Sequence, residues 1–319
     1  MRAAIIGASG IGKHHARWLQ SEGCEVVAFV GSSEESAGHT QKLLQDMMGF
    51  AGRGYWDVMK MLEAEHPDLV SVCTPMPLHH DHVLAALRQG AHVMCEKPLA
   101  YDPAKKTDDL LAEGREMVEA AGQAQKVLAV NTQYAAAVEP YYEVTGRDRA
   151  QAPTHFSMRM ESRGHGEDRE YEPIWIDLAS HPISVMLALL GPGEVDWNGA
   201  RCTLLRTQVE ATFDFVSPSG ARCACHLVTG SVPAPEPMTR AFGLDRQVVD
   251  YEGRNDAEGV YAAYLSYQGR EARAQDFVHT SLQRFVQAAQ GQGQPLADGQ
   301  TGLRNLEIQL RLLDRGEKR

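Results

Sequence analysis

Residues 3–12 place the strongest constraint on the fold. The apolar run Ala3-Ala4-Ile5-Ile6 stops at Gly7-Ala8-Ser9-Gly10-Ile11-Gly12, and an amphipathic pattern from Ile11 to Glu22 begins at once. A buried strand that turns on glycines into a helix is the opening of a βαβ unit. The free N–H groups at such a helix N-terminus favour an anion. Gly7 permits the tight turn, and Gly12 permits close packing of helix against strand. Ser9 stands where the dinucleotide fingerprint has its second glycine, and its small side chain still admits a pyrophosphate. An ordinary glycine-rich strand–helix turn would carry the same residues, but the context favours a dinucleotide held by Gly7, Ser9, Gly10, Ile11 and Gly12.

The rest of the first 130 or so residues keeps the same rhythm. Ala3–Gly7, Glu25–Val30, Leu69–Thr74, His92–Cys95 and Val127–Thr132 read as strands, with helical patterns such as Ile11–Glu22 and Pro77–Gln89 between them. Continuous apolar runs alternating with helices imply a parallel sheet covered on both faces. From about Thr154 the pattern changes: His155–Met160, Val209–Phe215 and Arg222–Thr229 alternate, as in an antiparallel sheet with one solvated or partner-covered face. Helices are expected at Ile176–Leu190 and Gly302–Leu313, and loops at Ser231–Pro237 and Gly291–Gln294. Two domains follow, 1–123 and 124–319, with the boundary in the region 121–135.

Composition narrows the class of partner. With 43% apolar and 23% charged residues the chain reads as globular, and its net charge of -11 argues against nucleic acid, which wants a basic face. No apolar stretch approaches bilayer-spanning length on this reading, and the N-terminus lacks a signal-peptide core and cleavage site. The six cysteines lie in predicted strands and read as reduced, buried thiols of a cytoplasmic protein.

The second strand ends Val30-Gly31-Ser32-Ser33, without the Asp or Glu that usually accepts a ribose 2′-hydroxyl. Ser32 and Ser33 can donate to a 2′-phosphate and Lys13 can add charge, so NADP is favoured over NAD, with Glu34 and Glu35 the counter-argument. His79, His80, Asp81 and His82 invite a metal, but neighbouring helical positions point in different directions, and no metal site is expected. Cys223 and Cys225 fall on one face of a strand and read as core packing.

Lys97 follows a strand in the cofactor half, where the carboxyl ends of parallel strands form a ligand crevice. It could hold a substrate oxygen and relay a proton, or be a surface lysine paired with Glu96. Asp177 and His181, at i and i+4, could converge on one ligand, with His181 as acid or base. Pro182 stands against this: it kinks a helix that begins earlier, and the i,i+4 geometry fails if His181 is the N-cap. An exposed helix-start pair is the alternative.

Taken in order, the turn Gly7–Gly12 with His15-Ala16, Thr74-Pro75 with Leu78-His79, Glu96-Lys97-Pro98-Leu99-Ala100, Asn131, Asp177-x-x-x-His181, and Asp298-Gly299-x-x-Gly302-Leu303 with Leu306-Glu307 resemble the glucose-fructose oxidoreductase / inositol dehydrogenase (Gfo/Idh/MocA) family. The resemblance implies an α/β protein: an N-terminal Rossmann doubly wound parallel sheet and a C-terminal α/β domain with a large open, mostly antiparallel sheet that often serves as an oligomer face. It implies that Lys97, Asp177 and His181 line the substrate pocket as catalytic residues, that Lys97-Pro98 is cis, and that Thr74, Pro75, His79, Glu96, Lys97 and Asn131 join the cofactor site. Met76, Gln133-Tyr134 and Tyr171–Ile176 depart from the family pattern, and these departures bear on the substrate.

The expected function is hydride transfer between NADP, or NAD, and a sugar, polyol or related hydroxy/keto compound by a cytoplasmic homodimer or homotetramer. His181 would be the acid/base, Lys97 would hold or relay the proton, and Asp177 would orient the substrate. The alternatives are a non-catalytic nucleotide sensor of the same fold, or net non-redox bond cleavage with tightly held cofactor. The segments Arg159–Trp175 and Val232–Ala241 are expected to shape the substrate pocket.

Overall fold

A computed structural model of the chain describes residues 1–163 and 170–319. Residues 164–169, part of the segment expected to shape the substrate pocket, lie outside the described residues. Contacts divide the chain into two compact units, Met1–Thr132 with Val278–Arg304, and Gln133–Phe277 with Asn305–Arg319.

The first unit runs β1 (Arg2–Ile6), α1 (Gly12–Ser21), β2 (Glu25–Val30), α2 (Glu34–Met48), β3 (Arg53–Tyr55), α3 (Val58–Glu65), β4 (Leu69–Val72), α4 (His79–Arg88), β5 (His92–Cys95), α5 (Thr107–Ala124) and β6 (Leu128–Val130). Its six strands pair in the order β3-β2-β1-β4-β5-β6, all parallel. Strand order reverses between β1 and β4, and ligands of such sheets collect at that reversal, outside the carboxyl ends. All five expected strands are present within two residues at either end. The three-residue edge strand β3 was too short and too polar to read.

The second unit begins with α6 (Val138–Thr145), β7 (His155–Arg163), α7 (Tyr171–Leu178), α8 (Ser180–Leu190), β8 (Glu194–Leu205) and β9 (Gln208–Val216). It continues through β10 (Arg222–Val232), β11 (Arg240–Leu244), β12 (Gln247–Asn255), β13 (Tyr261–Tyr267) and β14 (Arg270–Gln275). Then follow α9 (Phe277–Ala289), α10 (Gly299–Leu313) and β15 (Gly316–Lys318). Nine strands form one sheet, β14-β13-β12-β11-β7-β10-β9-β8-β15, antiparallel except where β7 meets β10 and β8 meets β15. Alternation sorts its faces: Phe156, Met158, Cys223, Cys225, Leu227, Phe213 and Phe215 are buried, while Ala224, His226 and Thr212 are exposed. Cys223 and Cys225 therefore share the buried face, and all six cysteines are free thiols.

The division by contacts falls at Thr132 rather than between 123 and 124, because β6 completes the first sheet. α9 then returns to the first unit: Val278, Leu282, Phe285 and Val286, at helical spacing, enter the core of Ile5, Leu19, Phe29 and Leu44. Trp18 stacks on His279 with ring centroids 4.2 Å apart, and Glu22 accepts from His279 at 2.7 Å.

One sequence expectation is corrected here. Tyr171–Leu190 is long and apolar enough to cross a membrane by length and composition. Its most apolar window is 67% buried inside the fold, as a core helix would be.

Candidate active site

The turn between β1 and α1 depends on two glycines. Gly7 has φ +90°, and a Cβ there would lie 2.7 Å from the Cys73 carbonyl oxygen. A Cβ on Gly12 would lie 2.3 Å from the Gly7 carbonyl oxygen, so only glycine lets the helix start this close to the strand. A Cβ on Gly10 would meet nothing within 4 Å, which leaves open space over the turn. The first turn of α1 carries no acidic side chain, and Lys13 is half-buried beside it. An anion cradle with room above it and no competing carboxylate fits a dinucleotide pyrophosphate.

After β2, the Ser33 hydroxyl oxygen caps α2 by accepting from the Ser36 N–H at 3.1 Å, while Ser32 stays exposed. The three residues that follow β2, Gly31, Ser32 and Ser33, contain no carboxylate.

After β4, the three histidines of α4 diverge. His79 is buried, with Nδ1 2.9 Å from the Pro98 carbonyl oxygen and Nε2 2.9 Å from that of Thr74. Burial lowers its pKa, so the ring is neutral at pH 7 and donates to one of the two carbonyls at a time. His80 turns to Asp81 and Glu116, and His82 to the Thr74 hydroxyl at 3.2 Å. Among the described residues no group of three or more His, Cys, Asp or Glu side chains is arranged to hold a metal.

A buried polar network closes the carboxyl ends of β4, β5 and β6. His15, on the first turn of α1, places Nε2 3.0 Å from Glu96 Oε1 and Nδ1 2.6 Å from Ser71 Oγ, with Cys73 Sγ at 3.4 Å. Asn131 Nδ2 donates to the same Glu96 oxygen at 2.6 Å. Glu96 Oε2 accepts from the Lys97 backbone N–H at 3.3 Å. Burial opposes charge on His15, but the Cys73 sulfur and the Glu96 carboxylate outweigh it, and its pKa is raised to about 10. Burial likewise raises Glu96, but hydrogen bonds from His15 and Asn131 and the positive charges of His15 and Lys97 prevail, lowering it to about 2. The pair is thus an imidazolium and a carboxylate at pH 7. The Lys97-Pro98 peptide is cis.

In the second unit, Asp177 lies in the last turn of α7 and His181 in the first turn of α8. Ala179 between them keeps helical φ and ψ, and its N–H donates to Trp175 while its carbonyl accepts from Ile183. Pro182 falls in the first turn of α8, where a missing N–H costs least, so the backbone stays near-helical through the junction. Two buried side chains one turn apart on α10 hold that junction. Asn305 Nδ2 donates to the Ser180 carbonyl at 2.8 Å, and Gln309 Nε2 donates to the Trp175 and Ile176 carbonyls at 3.0 Å. His181 is 6% exposed, with its ring centroid 4.7 Å from that of Tyr134. Tyr251 and Phe277 pack behind Tyr134 at 5.2 and 5.8 Å.

Among the predicted residues, His15-linked Glu96, Lys97 and Asn131 gather at adjoining strand ends, and Asp177 and His181 share one helical junction. Sequence reasoning named Tyr134 only as a departure from the family pattern and assigned no role to His15, Ser71, Cys73, Tyr251, Asn305 or Gln309. His15 alone carried a signal, one turn beyond the glycines on the buried side of α1. A cavity of about 630 Å³ also opens on the second sheet beside His155, Thr212, Asp214 and His226, and none of the predicted residues lines it.

Residues 1–132 match the family described as GFO_IDH_MocA, oxidoreductase family, NAD-binding Rossmann fold. The match to this family covers the first segment of the first unit. The same stretch is similar to D-glucoside 3-dehydrogenase of Escherichia coli (strain K12), 38% identical over 132 residues, which are 40% of this chain and 34% of that protein. It is also similar to 1,5-anhydro-D-fructose reductase of Ensifer adhaerens, 35% identical over 136 residues, 41% of this chain and 35% of that protein. The chain thus matches about a third of the length of these curated relatives. Among solved structures, UDP-N-acetylglucosamine 3-dehydrogenase GnnA from Acidithiobacillus ferrooxidans superposes with TM-score 0.75 at 19% identity, covering 99% of this chain and 98% of that one. KijD10, a 3-ketoreductase from Actinomadura kijaniata in complex with NADP, gives TM-score 0.71 at 18% identity, covering 100% and 98%. At such identity these two establish a shared fold along the length of the chain.

Proposed function

We propose that this protein is an NAD(P)-dependent dehydrogenase or reductase acting on a sugar, polyol or related hydroxy/keto compound, with NADP preferred. One observation carries the reading: a single buried network joins the helix that opens at the glycine cradle to the strand end that bears Lys97. When bound, the nicotinamide supplies or takes up a hydride at C4.

Gly7, Ser9, Gly10, Ile11, Gly12 and Lys13 would hold the pyrophosphate, and Ser32 and Ser33 a 2′-phosphate. Thr74, Pro75, His79, Glu96, Lys97 and Asn131 would line the nicotinamide half. Lys97 Nζ holds the substrate oxygen or relays its proton, the His181 imidazole gives or takes that proton, and Asp177 orients the substrate hydroxyls. The sugar-like substrate is supported by the names of the matching relatives. NADP is supported by the missing carboxylate after β2. A second copy covering the open face of the nine-stranded sheet, as homodimer or homotetramer, is supported by its half-exposed alternating residues. Free cysteines support a cytoplasmic setting.

The test is a fluorescence titration with NADPH and NADH, followed by a turnover screen over sugars, polyols and their keto forms. NADPH should bind at least about tenfold more tightly than NADH, and one substrate class should change the nicotinamide absorbance. Failure to bind either coenzyme would overturn the reading.

A further inference from the structure

We propose that His15 is a positioning residue that fixes the Lys97 peptide through Glu96. The argument rests on the oxidoreductase reading above and deepens it. A carboxylate has two oxygens, and both are committed here. Oε1 receives His15 Nε2 at 3.0 Å and Asn131 Nδ2 at 2.6 Å, and Oε2 receives the Lys97 N–H at 3.3 Å. With its rear oxygen held by two donors, the carboxylate cannot rotate away from the Lys97 amide without breaking a charge-assisted bond. The His15 ring is itself held on its far side by Ser71 Oγ at 2.6 Å, and it is 0% exposed.

The element that supplies His15 makes the contact informative. α1 opens directly at Gly12, so the helix whose N-terminus would bind the pyrophosphate also holds, three residues later, the carboxylate next to the lysine. A rigid helix and one side chain therefore set the distance between the phosphate cradle and the Lys97 backbone. Sites held by such supporting contacts keep the geometry that chemistry requires, and displacement by about 1 Å is costly.

Amide hydrogen exchange over Val93–Ala100 in the uncomplexed full chain tests this, with kcat and coenzyme KM measured in parallel. In His15→Leu the Lys97 amide should exchange about tenfold faster, as expected for losing one hydrogen bond. kcat should fall about 10- to 100-fold while coenzyme KM stays within about threefold. His15→Gln, which keeps an N–H donor near the Nε2 position, should restore most of both. Unchanged Lys97 exchange in a folded His15→Leu protein would overturn the proposal, as would uniform acceleration across the whole first unit. If His15→Leu does not fold, His15→Gln is compared with His15→Asn, whose shorter side chain cannot reach Glu96. Protection in Gln and its loss in Asn supports the proposal, and equal exchange in both overturns it. A wild-type chain that binds no NAD(P)H would overturn the oxidoreductase reading while leaving the exchange result to stand or fall separately.

Discussion

His15 and His181 are both buried histidines in the first turn of a helix, and different groups pack against their rings. His15 is wrapped by Ser71, Cys73, Glu96 and Asn131, and its charge persists because the Cys73 sulfur and the Glu96 carboxylate together outweigh burial. His181 lies against Tyr134, with Tyr251 and Phe277 behind it. Polar wrapping fixes both the charge and the direction of a ring, which suits a group that holds others in place. Aromatic packing fixes the plane of a ring by shape, which is compatible with the proton-exchange role proposed for His181.

The sharpest way to break this comparison is kinetic. His181→Ala and Lys97→Met should each lower kcat by about 10²- to 10⁴-fold while NADPH affinity, read by fluorescence titration, stays within about threefold. Unchanged turnover in both would remove the proton-exchange role from the second unit.

A stability contrast comes next in size. Glu96→Gln preserves shape but leaves a buried cation unpaired, and should cost about 3–5 kcal/mol in urea unfolding. Tyr134→Phe preserves the aromatic wall and should cost about 1 kcal/mol or less. Similar losses in the two variants would mean that shape, not charge, holds both histidines.

The pH dependence of the thermal midpoint isolates the His15–Glu96 pair. The pKa of His15 is raised from 6.5 to about 10, so its stabilisation is fully present below pH 6.5 and is lost as pH rises through about 10. Glu96 is depressed from 4.5 to about 2, so its share is present above pH 4.5 and is lost as pH falls through about 2. His15→Gln should flatten the alkaline arm, and an unaltered arm would assign it to other groups.

The smallest effect concerns the cradle. Ser33→Asp keeps a good N-cap on α2 and adds an acceptor for a ribose hydroxyl, so stability should hold within about 0.5 kcal/mol. The NADPH-to-NADH affinity ratio should fall about tenfold. A ratio that does not move would place the 2′-group away from Ser33.

Much of the first unit was legible because its signals are local. Gly7 and Gly12 announce a backbone that a Cβ would obstruct, and the apolar runs of β1, β2, β4 and β5 announce burial on both faces. Asp177 and His181 were legible as a spacing only, since Pro182 left their geometry open until the near-helical junction through Ala179 answered it. The short strand β3 and the helix α9 were missed, the first for lack of length. α9 has a clear apolar stripe, but nothing in that stripe says which core receives it.

Sequence alone determined where the chain must turn, which segments are buried, and which residues carry the family resemblance, because these depend on backbone sterics and nearest-neighbour periodicity. Only the tertiary structure decided that Glu96 faces His15 and Asn131, that Asn305 and Gln309 secure the Asp177–His181 junction, and that Tyr134, Tyr251 and Phe277 meet. The hydrogen-bonded partners in those contacts lie between 35 and 134 positions apart in the chain. Sheet order and helix packing bring them together, and no local pattern encodes that.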